Sequence, residues 1–357
     1  MARRINVVGS CGGSNAIIGV ATVGATLSRF GWEACHCPTI GGASGTTIIA
    51  AIMRGSGLSD AQVIDLVLST NFAKYVECER MSRMQRLRMV VQHKRAEAIR
   101  PWALKGPVNS EPLGDLIDKL APGPWPPGLW ILAVDEDGNP VLFSEQGIFR
   151  LKADGSWEEL SAKPPSLGLA VRAACTVPML FTPPHIPVNT GSLPMWDGAF
   201  CRNRNVFGLC PVNVPINHLH VSPEDVLAFD VSKDAQDRGI TGLAWHLVRH
   251  YCWGIDAPSW PAEAEQVIRI APTMPFSGWD LDLTADKKWK VIAVAISGTT
   301  RACLQHGLVP EEEAGNAARL LEAVSPFVNA PLPASRRLGF AEDLKQTLID
   351  CGFRLSA

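Results

Sequence analysis

The chain opens with a short apolar run, Ile5-Asn6-Val7-Val8, which stops at Gly9-Ser10-Cys11-Gly12-Gly13-Ser14. A long apolar stretch over 16–30 follows and is closed by Gly31. This order predicts a strand, a tight loop, and a helix stopped by glycine. The pattern then repeats. Residues 34–40 read as a second strand that breaks at Gly41-Gly42-Ala43-Ser44-Gly45, and an apolar helix runs over 47–53. Two consecutive strand–turn–helix units imply an α/β protein with a mostly parallel sheet and helices on its faces.

Farther along, 57–120 reads as helical, and the Pro- and Gly-rich stretch 121–128 reads as a loop. Apolar runs at 129–134 and 140–143 flank Asp135-Glu136-Asp137-Gly138-Asn139, a hairpin signal. A short helix is expected over 166–174, strands over 226–231 and 266–270, and a late helix over 286–304. The last fifty residues carry the acidic run Glu311-Glu312-Glu313 and two more helical patterns, at 311–324 and 341–350. No internal repeat or low-complexity tract divides the chain. The expected organisation is one domain over 1–306, with 70–120 as a helical cap or insertion, and a C-terminal helical extension over 307–357.

With 357 residues, 46% hydrophobic and 19% charged, the chain can bury a core without metal or disulfide staples. A net charge of −2 argues against a protein built mainly to bind nucleic acid. The ten cysteines are scattered and form no Cys-x-x-Cys pair, so reduced thiols in a cytoplasmic protein are expected. The first residues lack a signal-peptide pattern, and no uninterrupted apolar run reaches the ~18 residues a membrane span needs. One stretch could still meet a membrane at its surface. Over 80–100, Met81, Met84, Leu87 and Val91 share a helical face beside Arg80, Arg83, Arg86, Arg88, Lys94, Arg95 and Arg100. That pattern fits peripheral contact with anionic lipid, and equally a solvated basic helix packed by its methionine face.

Ser44 is the candidate nucleophile. A serine in Gly42-Ala43-Ser44-Gly45, between a strand and a helix, is lifted out of the sheet by the sharp turn. The following helix aims its N-terminal dipole at the alkoxide that develops during attack. Thr46 stands where the Gly-x-Ser-x-Gly pattern has its last glycine, and an incidental serine in a glycine-rich turn is the alternative. The 9–14 loop lacks Gly-x-Gly-x-x-Gly spacing and a Walker lysine. It reads either as a plain turn or as a set of backbone N–H groups forming an oxyanion hole beside Ser44, because both loops leave the carboxyl ends of strands.

A serine needs a base. None of His36, His93, His185, His218, His220, His246, His250 and His306 sits in the context of a triad base. His246 and His250 are four apart, but Leu247 breaks the zinc-protease motif, and His218 and His220 read as a loop or strand pair. No metal or cofactor is therefore expected. Asp197, in Met195-Trp196-Asp197-Gly198-Ala199, stands out as a carboxylate at the end of a mostly apolar stretch. Partial burial there would raise its pKa toward the range useful to a general base. An ordinary Asp-Gly turn is the alternative.

In order and spacing, six segments resemble the patatin-like phospholipases. They are the glycine loop with Ile18-Gly19-Val20; the run Ile40-Gly41-Gly42-Ala43-Ser44-Gly45-Thr46-Thr47-Ile48-Ile49-Ala50-Ala51; the hairpin over 129–143; Ala170-Val171-Arg172-Ala173-Ala174-Cys175-Thr176-Val177-Pro178 and the following turn to Pro184; Asp197-Gly198-Ala199; and Leu283-Thr284-Ala285-Asp286. The likeness spans roughly residues 5–305. It implies a three-layer α/β/α sandwich, a Ser–Asp dyad of Ser44 and Asp197 without histidine, an acyl-enzyme, and a lipid or other acyl-ester substrate. It also implies oxyanion donors among Ser10, Cys11, Gly12 and Gly13. The family's loop usually carries an Arg or Lys, and none is found here. An acyltransferase on the same site and a non-catalytic lipid-binding protein of the same fold are the rival readings.

Overall fold

A computed structural model of the chain describes residues 4–32, 37–75, 77–78, 108–152, 154–178, 180–201, 209–231, 264–276, 278, 281–330 and 339–355. The basic stretch 80–100, His36, His93, His246 and His250 lie outside the described residues. The strands are β1 (Asn6–Gly9), β2 (Ile40–Ala43), β3 (Glu77–Cys78), β4 (Val108–Asn109), β5 (Leu129–Val134), β6 (Pro140–Ser144), β7 (Gly147–Leu151), β8 (Trp157–Ser161), β9 (His185–Val188), β10 (Gly191–Pro194), β11 (Trp196–Asp197), β12 (Val226–Phe229) and β13 (Ile268–Ile270). The helices are α1 (Gly13–Arg29), α2 (Gly45–Gly55), α3 (Asp60–Ser69), α4 (Glu111–Leu120), α5 (Leu167–Ala174), α6 (Ala285–Gln305), α7 (Ala314–Asn329) and α8 (Phe340–Asp350).

The central sheet runs in the order β13-β12-β1-β2-β5-β6-β7-β8. From β13 to β5 every pairing is parallel, and β6, β7 and β8 continue as an antiparallel meander. Side chains alternate across the sheet as the pleat requires. Val7, Ile40, Ile131 and Phe229 point into a core shared with the long helices. Val8, Ala43, Trp130, Leu132 and Ala228 point into a second core on the other face, closed by Phe181, Trp196, Phe200, Val212 and Val214. The sheet is therefore the middle of three layers, the α/β arrangement that the sequence implied.

Several boundaries differ from the expectation, each for a physical reason. The second strand begins at Ile40 and runs through Gly41, Gly42 and Ala43, so the two glycines belong to the strand and not to the turn. They allow close approach: a Cβ on Gly41 would sit 2.2 Å from the Trp130 carbonyl oxygen. The meander strands β7 and β8 escape the hydrophobic pattern because Arg150 and Glu158 lie within them and form an ion pair at 2.7 Å. The 57–120 segment is not uniformly helical, since β3 and β4 pair antiparallel within it. Its last helix, α4, buries Leu113 and Ile117 in the main core.

Capping explains where helices start. Ser59 and Gln62 form a reciprocal capping box on α3, and Ser166 and Thr284 cap α5 and α6. Two lysines of α6 finish other helices. Lys288 donates to the carbonyls of Val67, Leu68 and Thr70 at the end of α3. Lys290 donates to those of Phe327, Val328 and Ala330 at the end of α7. Each ammonium thereby meets the negative end of a helix dipole and its unpaired carbonyls. Burial lowers both pKa values.

The last helices share the main core. Ala317, Leu320 and Val324 of α7, and Leu344 and Leu348 of α8, are buried in it. Trp32 Nε1 also donates to the Leu308 carbonyl at 2.6 Å. No described helix is long and apolar enough to cross a membrane. Leu320 is 2% exposed, so Leu320→Ala is expected to cost about 2–4 kcal/mol in urea denaturation. A loss below about 1 kcal/mol would mean that α7 does not contribute to that core.

Candidate active site

Ser44 stands at the junction of β2 and α2 with φ 56° and ψ −138°. Positive φ is costly for a side chain larger than glycine and persists only where the surroundings impose it. Here they do. The Ser44 N–H donates to the Ala174 carbonyl at 3.1 Å, and the Ser44 carbonyl accepts the Thr47 N–H at 2.9 Å. That carbonyl also accepts the Thr47 hydroxyl at 2.7 Å and the Cys175 thiol at 3.3 Å. The turn holds the half-buried Ser44 at the positive end of α2.

Strand register brings Asp197 beside it. On β5, Leu132 pairs with Ala43, the last residue of β2. The next residue, Ala133, pairs with Asp197 of β11. Strand β6 occupies the other edge of β5 along this stretch, so β11 fills the place that β2 vacates at Ser44. The Asp197 N–H donates to the Thr176 carbonyl at 2.8 Å. Its carboxylate accepts the Ala199 N–H at 2.9 Å, and the Ser44 side chain acts on it to favour the charged form. The three residues Ala174, Cys175 and Thr176 thus brace both Ser44 and Asp197. Sequence reasoning placed this segment before Asp197 but assigned it no role, because its contacts are made mostly by backbone atoms.

The glycine loop narrows the set of donors. The Ser10 N–H donates to the Phe229 carbonyl and the Cys11 N–H to the Leu209 carbonyl, both at 2.9 Å. Those two N–H groups are committed to holding the loop, which corrects the expectation that all four residues could donate to an oxyanion. The N–H groups of Gly12 and Gly13 have no acceptor among the described residues. Gly13, with φ 51°, packs against the start of α2, where a Cβ on Gly45 would lie 2.3 Å from the Gly13 carbonyl oxygen. The backbone of Gly13 is therefore held against the residue that follows Ser44.

No family model matches the chain, and no curated protein matches it. Several solved structures are similar to it, two of which follow. VipD from Legionella pneumophila is 12% identical with a TM-score of 0.44, over 90% of this chain and 74% of that one. Human GIVD cytosolic phospholipase A2 is 11% identical with a TM-score of 0.38, over 99% of this chain and 61% of that one. At these identities and scores, the chemistry of the site rests on its own geometry.

That geometry sets an unusual titration. Burial raises the Asp197 pKa from 3.8 to about 7, although the Ala199 N–H and the Ser44 side chain both pull it down. No histidine is among the groups acting on it. His218 lies instead against Trp157 and Phe149, with its pKa lowered by burial and by His220. The Cys175 thiol is pushed far up by burial and by the Asp197 charge, so it stays protonated and can serve as a donor.

The sign for stability follows from linkage. Between pH 3.8 and about 7 the folded protein keeps a proton on Asp197 that the unfolded chain has released. The stability this group contributes is full below pH 3.8 and is lost as pH rises through about 7. Asp197→Asn, which can still accept from Ala199, is therefore expected to raise the thermal midpoint by about 2 °C or more at pH 8. Its advantage should disappear near pH 4. An unchanged or lowered midpoint at pH 8 would contradict a charged, desolvated Asp197.

Proposed function

We propose that the chain is a serine acyl hydrolase of the patatin-like phospholipase type, acting on carboxylic esters of lipids or phospholipids. The observation that carries this reading is the placement of Ser44, by strand register, beside the buried carboxylate of Asp197, whose pKa burial raises to about 7. The N–H groups of Gly12 and Gly13, which have no acceptor among the described residues, add to its support.

In this reading Ser44 Oγ attacks the ester carbonyl while its proton passes to Asp197. The carbonyl oxygen gains negative charge and is met by the Gly12 and Gly13 N–H groups and the N-terminus of α2. Collapse of this intermediate breaks the ester C–O bond. The alcohol leaves with the proton from Asp197, and the acyl group stays on Ser44. Water then attacks the acyl-enzyme, Asp197 takes its proton, and the carboxylic acid departs as that proton returns to Ser44. Asp197 must be ionised for each proton it accepts, so a pKa of about 7 suits it as both base and acid. An alcohol in place of water in the second half would make the same site an acyltransferase.

The test is release of p-nitrophenol from short- and medium-chain p-nitrophenyl esters. Wild type should turn over, and kcat should rise with pH through one ionisation near 7 as Asp197 loses its proton. Ser44→Ala and Asp197→Asn should each lower kcat by about 1,000-fold or more while remaining folded. Adding a competing alcohol and analysing products separates hydrolysis from acyl transfer. Inactivity of wild type across chain lengths, or full activity in Ser44→Ala, would overturn the hydrolase reading.

A further inference from the structure

Thr46 occupies the position that breaks the Gly-x-Ser-x-Gly pattern, and the structure gives it a task. It is fully buried. Its hydroxyl donates to the Ser10 carbonyl at 2.8 Å, across from the second residue of α2 to the glycine loop. Its methyl and hydroxyl fill space left by two residues without side chains. A Cβ on Gly9 would lie 2.3 Å from Thr46 Oγ1, and a Cβ on Gly42 would lie 2.6 Å from Thr46 Cγ2. Gly9 ends β1 and Gly42 lies within the neighbouring β2. The threonine is therefore accommodated by a matched absence on both strands beneath it.

The other ties of the loop reach away from Ser44. The Ser10 N–H binds Phe229, the Ser10 hydroxyl accepts the Val231 N–H at 2.8 Å, and the Cys11 N–H binds Leu209. The Ser10 hydroxyl also donates to the Cys11 carbonyl at 3.1 Å, which stiffens the loop locally. Those bonds fix Ser10 and Cys11 to β12 and the 209 segment. The Thr46 bond connects the same loop to the helix that begins at the nucleophile turn. With Ser10 fixed on both sides, the spacing between Ser44 and the Gly12 and Gly13 N–H groups is set.

We propose that Thr46 is a positioning residue: its hydrogen bond to the Ser10 carbonyl latches the glycine loop to the nucleophile helix and keeps the Gly12 and Gly13 N–H groups aimed at the developing oxyanion. This rests on the hydrolase reading for its kinetic consequence, though not for the latch itself. Thr46 does not touch the reacting atoms. It acts on charge that exists only in the transition state, so its loss should lower kcat and spare KM.

The variants are Thr46→Val, which keeps the shape and removes the hydroxyl, and Thr46→Ser, which keeps the hydroxyl. Two readouts are taken on the full chain. With p-nitrophenyl esters, Thr46→Val should lower kcat by about 10- to 100-fold, the scale of a misplaced or lost oxyanion donor. KM should stay within about twofold, and Thr46→Ser should recover most of kcat. In amide hydrogen exchange, peptides covering 9–16 should exchange faster in Thr46→Val than in wild type and return toward wild type in Thr46→Ser. Exchange needs no substrate, so it judges the latch even if the hydrolase reading fails by wild-type inactivity. Unchanged exchange in Thr46→Val overturns the latch. Changed exchange with kcat held within twofold in an active enzyme overturns its positioning role. Equal damage in Thr46→Ser and Thr46→Val shows that packing, and not the hydroxyl, matters, and overturns it as well.

Discussion

Strand β5 continues for two residues beyond the end of β2, and its free edge there must be paired or left with unsatisfied backbone groups inside the protein. Trp196 and Asp197 supply that pairing. Because the strand they replace ends at the Ser44 turn, the pairing sets a carboxylate next to a serine hydroxyl. The position of Asp197 is thus a consequence of sheet register and does not depend on a long flexible side chain. Trp196, 1% exposed, anchors the short strand in the second core, and the same packing removes water from Asp197. One constraint therefore produces both the proximity of the two groups and the raised pKa.

Both members of the pair are held in states that cost free energy. Ser44 has a backbone conformation that non-glycine residues avoid, and Asp197 is a buried carboxylate without a cation among the groups acting on it. The segment Ala174–Thr176 offsets part of both costs. Its carbonyls take the Ser44 and Asp197 N–H groups, and its thiol donates to the Ser44 carbonyl. This segment follows directly from the end of α5, whose Leu167, Ala170 and Val171 are fixed in the main core. The strain of the turn is in this way supported by apolar burial on the helical face of the sheet. The glycine loop is supported from the opposite direction by the Phe229 carbonyl of β12 and the Val231 N–H just beyond it, both bonded to Ser10.

Much of this was legible in the chain. The alternation of apolar runs with Gly-rich turns located β1, α1, α2, β5, β6 and α6, because each has a strong period or a clear stop. The Ser44 turn was visible for the same reason, and Asp197 stood out as a charge in an apolar context. What escaped was governed by partners distant in sequence. The end of β2 was set too early because glycines normally read as breakers, whereas Gly41 and Gly42 serve close contact between strands. Strands β7 and β8 carry Arg150, Glu158 and Glu159, which hide their period. Ser10 and Cys11 could not be separated from Gly12 and Gly13 as donors, since the difference lies in the carbonyls of Phe229 and Leu209 far along the chain. Thr46 departs from the Gly-x-Ser-x-Gly pattern, and what accommodates it is the missing side chains of Gly9 and Gly42 on two different strands.

In the proposed function, Ser44 is an activated nucleophile whose base is Asp197. The most direct measurement is covalent labelling with a fluorophosphonate, followed by peptide mass spectrometry. The account predicts one phosphonyl adduct, on the peptide containing Ser44, forming faster as pH rises through about 7. An adduct on a different residue would contradict it, and so would no adduct under conditions that fully label a control serine hydrolase.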